Sequence, residues 1–165
     1  MPANDIQEQL DKYLADAHSI EEQALIQMRL APGLAGSEPL ERAFREHLTE
    51  TERHEQLVRE RMEARGASAS RFKDLVMKAG AIYWGTFFSG QPDTPGKLAA
   101  FAYAFEHLEI GGYEQLKRVA ERAGDPQTVA AAEQILGEKR AAAAKLAASF
   151  DHATELALEA HGVSG

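Results

Sequence analysis

The 165-residue chain contains no cysteine, which excludes disulfides, thiolate nucleophiles and cysteine-ligated zinc or iron-sulfur centres. Any metal must be held by oxygen and imidazole. No run reaches the roughly 18 apolar residues that a membrane-spanning helix needs, so no membrane role is expected. Basic residues are outnumbered, with 18 Lys and Arg against 26 Asp and Glu and a net charge of -8. No basic cluster is dense enough to track a phosphate backbone, and nucleic acid is not an expected partner. The opening MPANDIQEQL lacks the basic and apolar regions of a secretory signal, so a cytoplasmic location is expected. What is present is 44% hydrophobic and 27% charged residues, a balance that favours a packed globular chain over a disordered one. Length and composition predict a single domain over residues 1–165, with a loose tail from about residue 158.

Apolar residues recur at helical spacing over about 4–30, 38–65, 96–123 and 126–160, and no segment alternates as a strand does. Ser37, Thr94 and Asp125, each close before a proline, read as N-caps, and Gly66 and Gly124 as C-terminal caps. The connections at 32–37 and 124–125 are short, so each joins two antiparallel helices into a hairpin. Residues 66–95 form a long crossover with a short amphipathic piece, and its aromatic cluster of Tyr83, Trp84, Phe87 and Phe88 is expected to seal one flank. Two hairpins joined by one long crossover is the connectivity of a ferritin-like four-helix bundle. The expected fold class is all-α, with a short extra helix in the crossover.

The inward faces of these helices carry acid. The stripe Leu10, Leu14, Ala17, Ala24 and Met28 has one gap, filled by Glu21. Leu98, Ala102, Phe105, Gly112, Leu116 and Val119 leave a gap at Glu109, and Ala131, Ile135, Ala142 and Leu146 flank Glu138. At 100° per residue Leu40, Phe44, Val58 and Met62 centre the remaining face, with His47 and His54 within it and Glu50 at its edge. Glu21 to Glu50 and Glu109 to Glu138 are equal intervals of 29 residues. Each pair straddles its turn at about 21 Å from the bend, at 1.5 Å of rise per residue. The two hairpins superpose at an offset of 88 residues, a degenerate internal repeat.

Four carboxylates cannot share a buried layer as bare anions, so they take up protons or hold cations. Two divalent metals balance four charges, and carboxylate with imidazole suits iron or manganese. His54, one turn after Glu50, is the nitrogen ligand this spacing favours. Glu106 can join or replace Glu109. His47 is a further candidate, although a hydrogen-bonded core or rim histidine is the plainer reading. Tyr113, one turn after Glu109, is placed to hydrogen-bond a ligand. His18, His152 and His161 read as surface or tail residues, and Glu46, Glu52, Glu60 and Glu63 as a solvated face.

These residues resemble the YciF-like branch of the ferritin-like superfamily. Ile20-Glu21-Glu22-Gln23 matches its first-helix motif, His47-Leu48-Thr49-Glu50-Thr51 its second, Glu106-His107-Leu108-Glu109 followed by Gly112-Tyr113 its third, and Gly137-Glu138-Lys139 its fourth. The likeness runs from about residue 10 to 150. It implies a homodimeric bundle built around a dinuclear metal site and associated with stress responses, with Glu21, Glu50, Glu109 and Glu138 on metal-binding positions. His54 stands where the family often has glutamine. The chain departs from the family at Ala142 and Gly137, where acidic residues are usual, and in a crossover that reads VMKAGAIYWGTFF. The activity expected is oxidation of two iron ions by dioxygen or peroxide. A dimanganese, peroxide-disproportionating enzyme and a non-catalytic helical stress or interaction protein with a vestigial site are the rivals.

Overall fold

The computed structural model describes residues 3–67 and 93–163, and among them there are five helices and no strand. They are α1 (Ala3–Leu34), α2 (Glu38–Ala64), α3 (Thr94–Ala123), α4 (Pro126–Ala148) and α5 (Phe150–Glu159). The extra helix and aromatic cluster expected within the crossover lie outside the described residues.

Local chemistry sets the helix ends. Asp125 accepts the Thr128 amide at 2.9 Å and caps α4. Ser37 has the extended backbone of an N-cap before α2, but its hydroxyl pairs with His152 Nε2 at 3.0 Å instead of capping. Thr94 is already helical, so the cap position of α3 falls on Asp93, one residue earlier than expected. Gly36 and Gly124 hold the two hairpin turns with φ of 75° and 69°. A Cβ on Gly36 would also lie 2.8 Å from Pro95 Cγ, so only glycine fits where this turn meets the start of α3.

The expected fourth segment is two helices. Ser149 ends α4 and its carbonyl accepts from Ala153 to start α5, with the Ser149 hydroxyl donating back to Leu146 O at 2.7 Å. The break turns α5 onto α3, where Phe150 meets Tyr103 edge-on and Ala153 is buried.

Contacts at one end of the bundle fix the directions. Gln7 donates to Ala123 O, Arg65 reaches Gln7 and Asp11, and Arg61 reaches Gln127 and Asp125. So α1 runs antiparallel to α2 and α3, and α4 runs antiparallel to both as well. Among the described residues two apolar clusters fill the interior. One gathers Met28, Leu40, Phe44, Leu98, Ala102 and Leu146, and the other Leu10, Leu14, Val58, Met62, Leu116 and Ile135. A polar layer crosses the bundle between them.

Two interior stripes follow the expected positions in part, with Leu98, Ala102, Glu109 and Leu116 of α3 and Ile135, Ala142 and Leu146 of α4 buried as expected, and shift by one residue at the others. In α3, Phe105 and Gly112 are half-buried, and the inward residues are Ala102, Glu106, Glu109, Tyr113 and Leu116. In α4, the inward residues are Ala132, Ile135, Leu136, Lys139, Ala142 and Leu146, whereas Glu138 is half-buried. His18, expected on the surface, is buried, with Nε2 2.9 Å from Glu55 Oε1. The large apolar residues of these stripes did not reveal the shift, because long polar side chains at neighbouring positions carry it.

Candidate metal centre

Seven side chains make the central layer: Glu21 from α1, His47, Thr51 and His54 from α2, Glu106 and Glu109 from α3, and Lys139 from α4. Glu21, Thr51, His54, Glu109 and Lys139 are fully buried, and Glu106 and His47 nearly so. Lys139 is the member of the layer that the sequence pattern does not indicate. Its Nζ lies 2.8 Å from Glu109 Oε1 and 3.0 Å from Glu21 Oε1, so one ammonium joins carboxylates from two helices. Tyr113 donates to the same Glu21 oxygen at 2.7 Å, and its ring centroid is 5.8 Å from the ammonium. Across the bundle, His47 Nε2 is 2.6 Å from Glu106 Oε1.

Of the other residues singled out, His54 points inward with Nε2 2.7 Å from Glu138 Oε2 and Nδ1 4.0 Å from Glu21. Glu138 is half-buried and shared with Arg53. Glu50 is likewise on the rim, 3.5 Å from His47 Nδ1 and 3.8 Å from Lys145. The layer therefore brings Glu21, Glu106, Glu109, His47 and His54 together and leaves Glu50 and Glu138 at its edge.

Protonation follows from burial set against these pairings. Burial would lower the His47 imidazole, but the carboxylates of Glu106 and Glu50 raise it to about 9. Glu106, which burial would raise, is held below the usual carboxylate range by His47. Burial pushes Glu109 well above that range even with Lys139 beside it. Lys139, which burial would lower, is lifted above the ordinary lysine value by Glu109, Glu21 and Glu106. Burial and the Lys139 charge lower His54. The phenol of Tyr113 is raised by burial and by the Glu21 charge beside it, and it stays a donor.

Space reaches the layer from two sides. A cavity of about 40 Å³ lined by Phe44, His47, Glu50, Ala142 and Leu146 has room for about one water or ion. On the opposite flank a groove between α1 and α3, lined by Tyr13, Ile20, Leu108, Gly112 and Tyr113, extends to Glu109.

Helix order, directions and a carboxylate-imidazole layer at mid-height define a ferritin-like bundle. The chain belongs to the DUF892 family, described as a domain of unknown function, whose model matches residues 5–159. No curated protein matches it. Among solved structures it is similar to a protein of Xanthomonas campestris pv. campestris, at 25% identity and TM-score 0.80 over 96% of this chain and 99% of that one. It is also similar to the Escherichia coli stress protein YciF, at 23% identity and TM-score 0.73, covering 96% and 98%. A third neighbour is Desulfovibrio desulfuricans bacterioferritin, a protein with a diiron site, at 19% identity and TM-score 0.75, covering 100% and 92%.

Whether a two-metal group fits can be asked of the residues present. A ferritin-like dinuclear centre takes one glutamate from each of two helices and a Glu-x-x-His pair from each of the other two. Here α1 and α3 supply Glu21 and Glu109. The inward pair on α2 is Thr51-x-x-His54, and on α4 it is Lys139-x-x-Ala142. Two carboxylates and one imidazole of that pattern are missing, and a fixed cation stands among the remainder. Among the described residues no group of three or more His, Asp or Glu is arranged to hold a metal ion. A dinuclear metal does not fit this centre. Nor do the side chains as they stand converge on a single ion, which would have to draw together Glu21 Oε2, Glu106 Oε2, Glu109 Oε2, His47 Nδ1 and His54 Nδ1, all buried and without a hydrogen-bond partner. Buried polar atoms left unsatisfied in this way ask for a water or an ion.

Proposed function

We propose that this chain is a ferritin-like protein that binds one divalent transition-metal ion, iron or else manganese, in its central layer and serves stress defence by consuming ferrous iron or peroxide. Charge carries this reading. Glu21, Glu106 and Glu109 place three negative charges in the layer and Lys139 returns one, so two remain. One divalent ion neutralises them. Without it, a proton on His47 and another on Glu109 do the same, in keeping with the upward shift of both groups. Two structural neighbours, one a stress protein and one a bacterioferritin with a diiron site, suggest the class of chemistry.

The chain's own residues have separable tasks. Glu106, Glu109 and His47 furnish oxygen and nitrogen donors, with Glu21 and His54 completing the set. Tyr113 and Lys139 fix the Glu21 rotamer, because both bond its Oε1 and leave Oε2 as the free acceptor. Leu25, Ile135 and Val58 are buried around the layer and keep bulk water away. Iron held there would supply electrons to dioxygen or peroxide.

Equilibrium dialysis against Mn(II), followed by elemental analysis, tests the reading. The parent chain should retain one ion, and Glu106→Gln/Glu109→Gln none. A folded parent that retains no ion refutes it. The mutual pairing of Lys139, Glu21 and Glu109 favours a second reading, in which the layer is only a structural ion-pair core and the chain a non-catalytic helical protein. The same result would establish that alternative.

A further inference from the structure

We propose that the Lys139 ammonium takes the place of one of the two metal ions of a ferritin-like centre, and that this built-in cation limits the chain to a single exchangeable ion. The inference builds on the single-ion reading above but is decided by a separate comparison.

Three observations carry it. The first is position. The turn glycines Gly36 and Gly124 both have left-handed backbone, and each is the midpoint of a facing pair: Glu21 with Thr51, and Glu109 with Lys139. Residues equidistant from a turn share a height, here 15 residues or about 22 Å from the bend at 1.5 Å per residue. Lys139 therefore stands where the Glu-x-x-His pattern would put the carboxylate of the fourth helix. The second is contact. Its Nζ touches one oxygen of Glu21 and one of Glu109, from the two helices that keep their glutamates. A metal bridging those helices would compete for the same oxygens. The third is space. Ala142, one turn on, leaves a cavity of about 40 Å³ beside His47 and Glu50 instead of an imidazole. Carboxylate and imidazole are both lost from α4 at the two positions that would serve the second ion, and the lysine supplies a positive charge that needs no ligands.

The change is thus a substitution of cations. A hydrated divalent ion must be captured from solution and can be lost, whereas an ammonium on a side chain is covalently held and always present. The centre should therefore hold its shape without metal.

Restoring the missing pair tests this. The parent chain and Lys139→Glu/Ala142→His would be dialysed against Mn(II) and analysed for manganese per chain, with purification in Mn(II) throughout. The expected result is one more ion on the variant than on the parent. Equal counts overturn the proposal. The difference decides the role of Lys139, and the parent's own count decides the single-ion reading: a parent with none and a variant with one keeps the former and ends the latter. Should the double variant fail to fold, Lys139→Met gives a second readout. Its melting temperature should rise on adding Mn(II) by more than the parent's does, and an equal or smaller rise overturns the proposal.

Discussion

The two hairpins of the bundle share a frame and differ in charge. At an offset of 88 residues Glu21 corresponds to Glu109 and Gly36 to Gly124, and both pairs keep their identity. Thr51 corresponds to Lys139, and His54 to Ala142. All four are buried. The first hairpin presents a neutral hydroxyl and an imidazole where the second presents an ammonium and a methyl. Positions set by helix geometry have been retained, and the groups that neutralise buried carboxylates have been redistributed. Depth in a bundle is a property of the backbone, but the net charge at that depth belongs to the whole layer, so one hairpin can compensate for the other.

The sharpest way to break this comparison is to remove the ammonium. Lys139→Met leaves Glu21 and Glu109 facing each other without a cation, and loss of one partner from a buried ion pair costs about 3–5 kcal/mol. Thr51→Val at the corresponding position deletes only a hydroxyl that donates to His47 O one turn back, a change of about 1 kcal/mol. Urea unfolding of both variants at pH 7 without metal should rank them in that order by a wide margin. Equal losses would mean that the two hairpins are not energetically distinct.

The pair formed by His47 and Glu106 makes the next largest effect, and it depends on pH. Its folded pKa of about 9 lies above the ordinary 6.5. The stabilisation is therefore complete below about pH 6.5 and is lost as pH rises through about 9. At 1.36 kcal/mol per unit the loss is about 3 kcal/mol for one proton. Unfolding free energy measured from pH 6.5 to 9.5 should fall by an amount of this order, and in Glu106→Gln the fall should be largely gone. A flat profile in the parent would show that His47 is neutral in the folded chain.

Much of this site could be read from apolar periodicity. Glu21 and Glu109 fill gaps in clear stripes, and the turns between the paired helices follow from glycine and proline. Glu50 rests on a recurring interval of 29 residues, and Glu138 on that interval together with its flanking Ala131, Ile135, Ala142 and Leu146, yet the interval of 30 from Glu21 to Thr51 and from Glu109 to Lys139 recurs equally well. Only the second is centred on the turn glycines. A carboxylate one residue off the inward position still reaches the layer's edge through a flexible stem, so spacing between acids cannot separate rim from interior. No sequence signal marks Lys139 as part of the layer, because a lysine on an apolar stripe usually extends its ammonium to water. Its burial depends on two glutamates from other helices, and no local pattern contains them. The break at Ser149 is hidden for a different reason: Ala142, Leu146 and Ala153 are buried at helical spacing, so the periodicity runs through the joint.

Tyr113 offers a smaller and more local test. Leu25 occupies its equivalent in the first hairpin, so the phenol is another group present on one side only. Tyr113→Phe removes one donor from Glu21 Oε1 and leaves Lys139 in place. A hydrogen bond to a charged acceptor contributes about 1.5–3 kcal/mol. A loss near the lower figure is expected, with Mn(II) still retained at one ion per chain. Loss of the ion without loss of stability would show that the phenol acts on the metal and not on the Glu21 rotamer.

The smallest effect is expected at Glu50, and it separates rim from layer. Its side chain is 28% exposed, its contact with Lys145 is 3.8 Å, and its contact with His47 Nδ1 is 3.5 Å. Neither distance is a good hydrogen bond, so Glu50 supports the His47 charge less than Glu106 does at 2.6 Å, and an exposed partner is screened by salt. Glu50→Gln should change stability by less than about 0.5 kcal/mol, as substitutions outside the buried network usually do, and should leave the Mn(II) count at that of the parent. If the ion is lost instead, its position lies toward the cavity beside Ala142, where Glu50 and His47 meet, and the first hairpin then contributes a carboxylate from the rim to replace the one that Thr51 lacks.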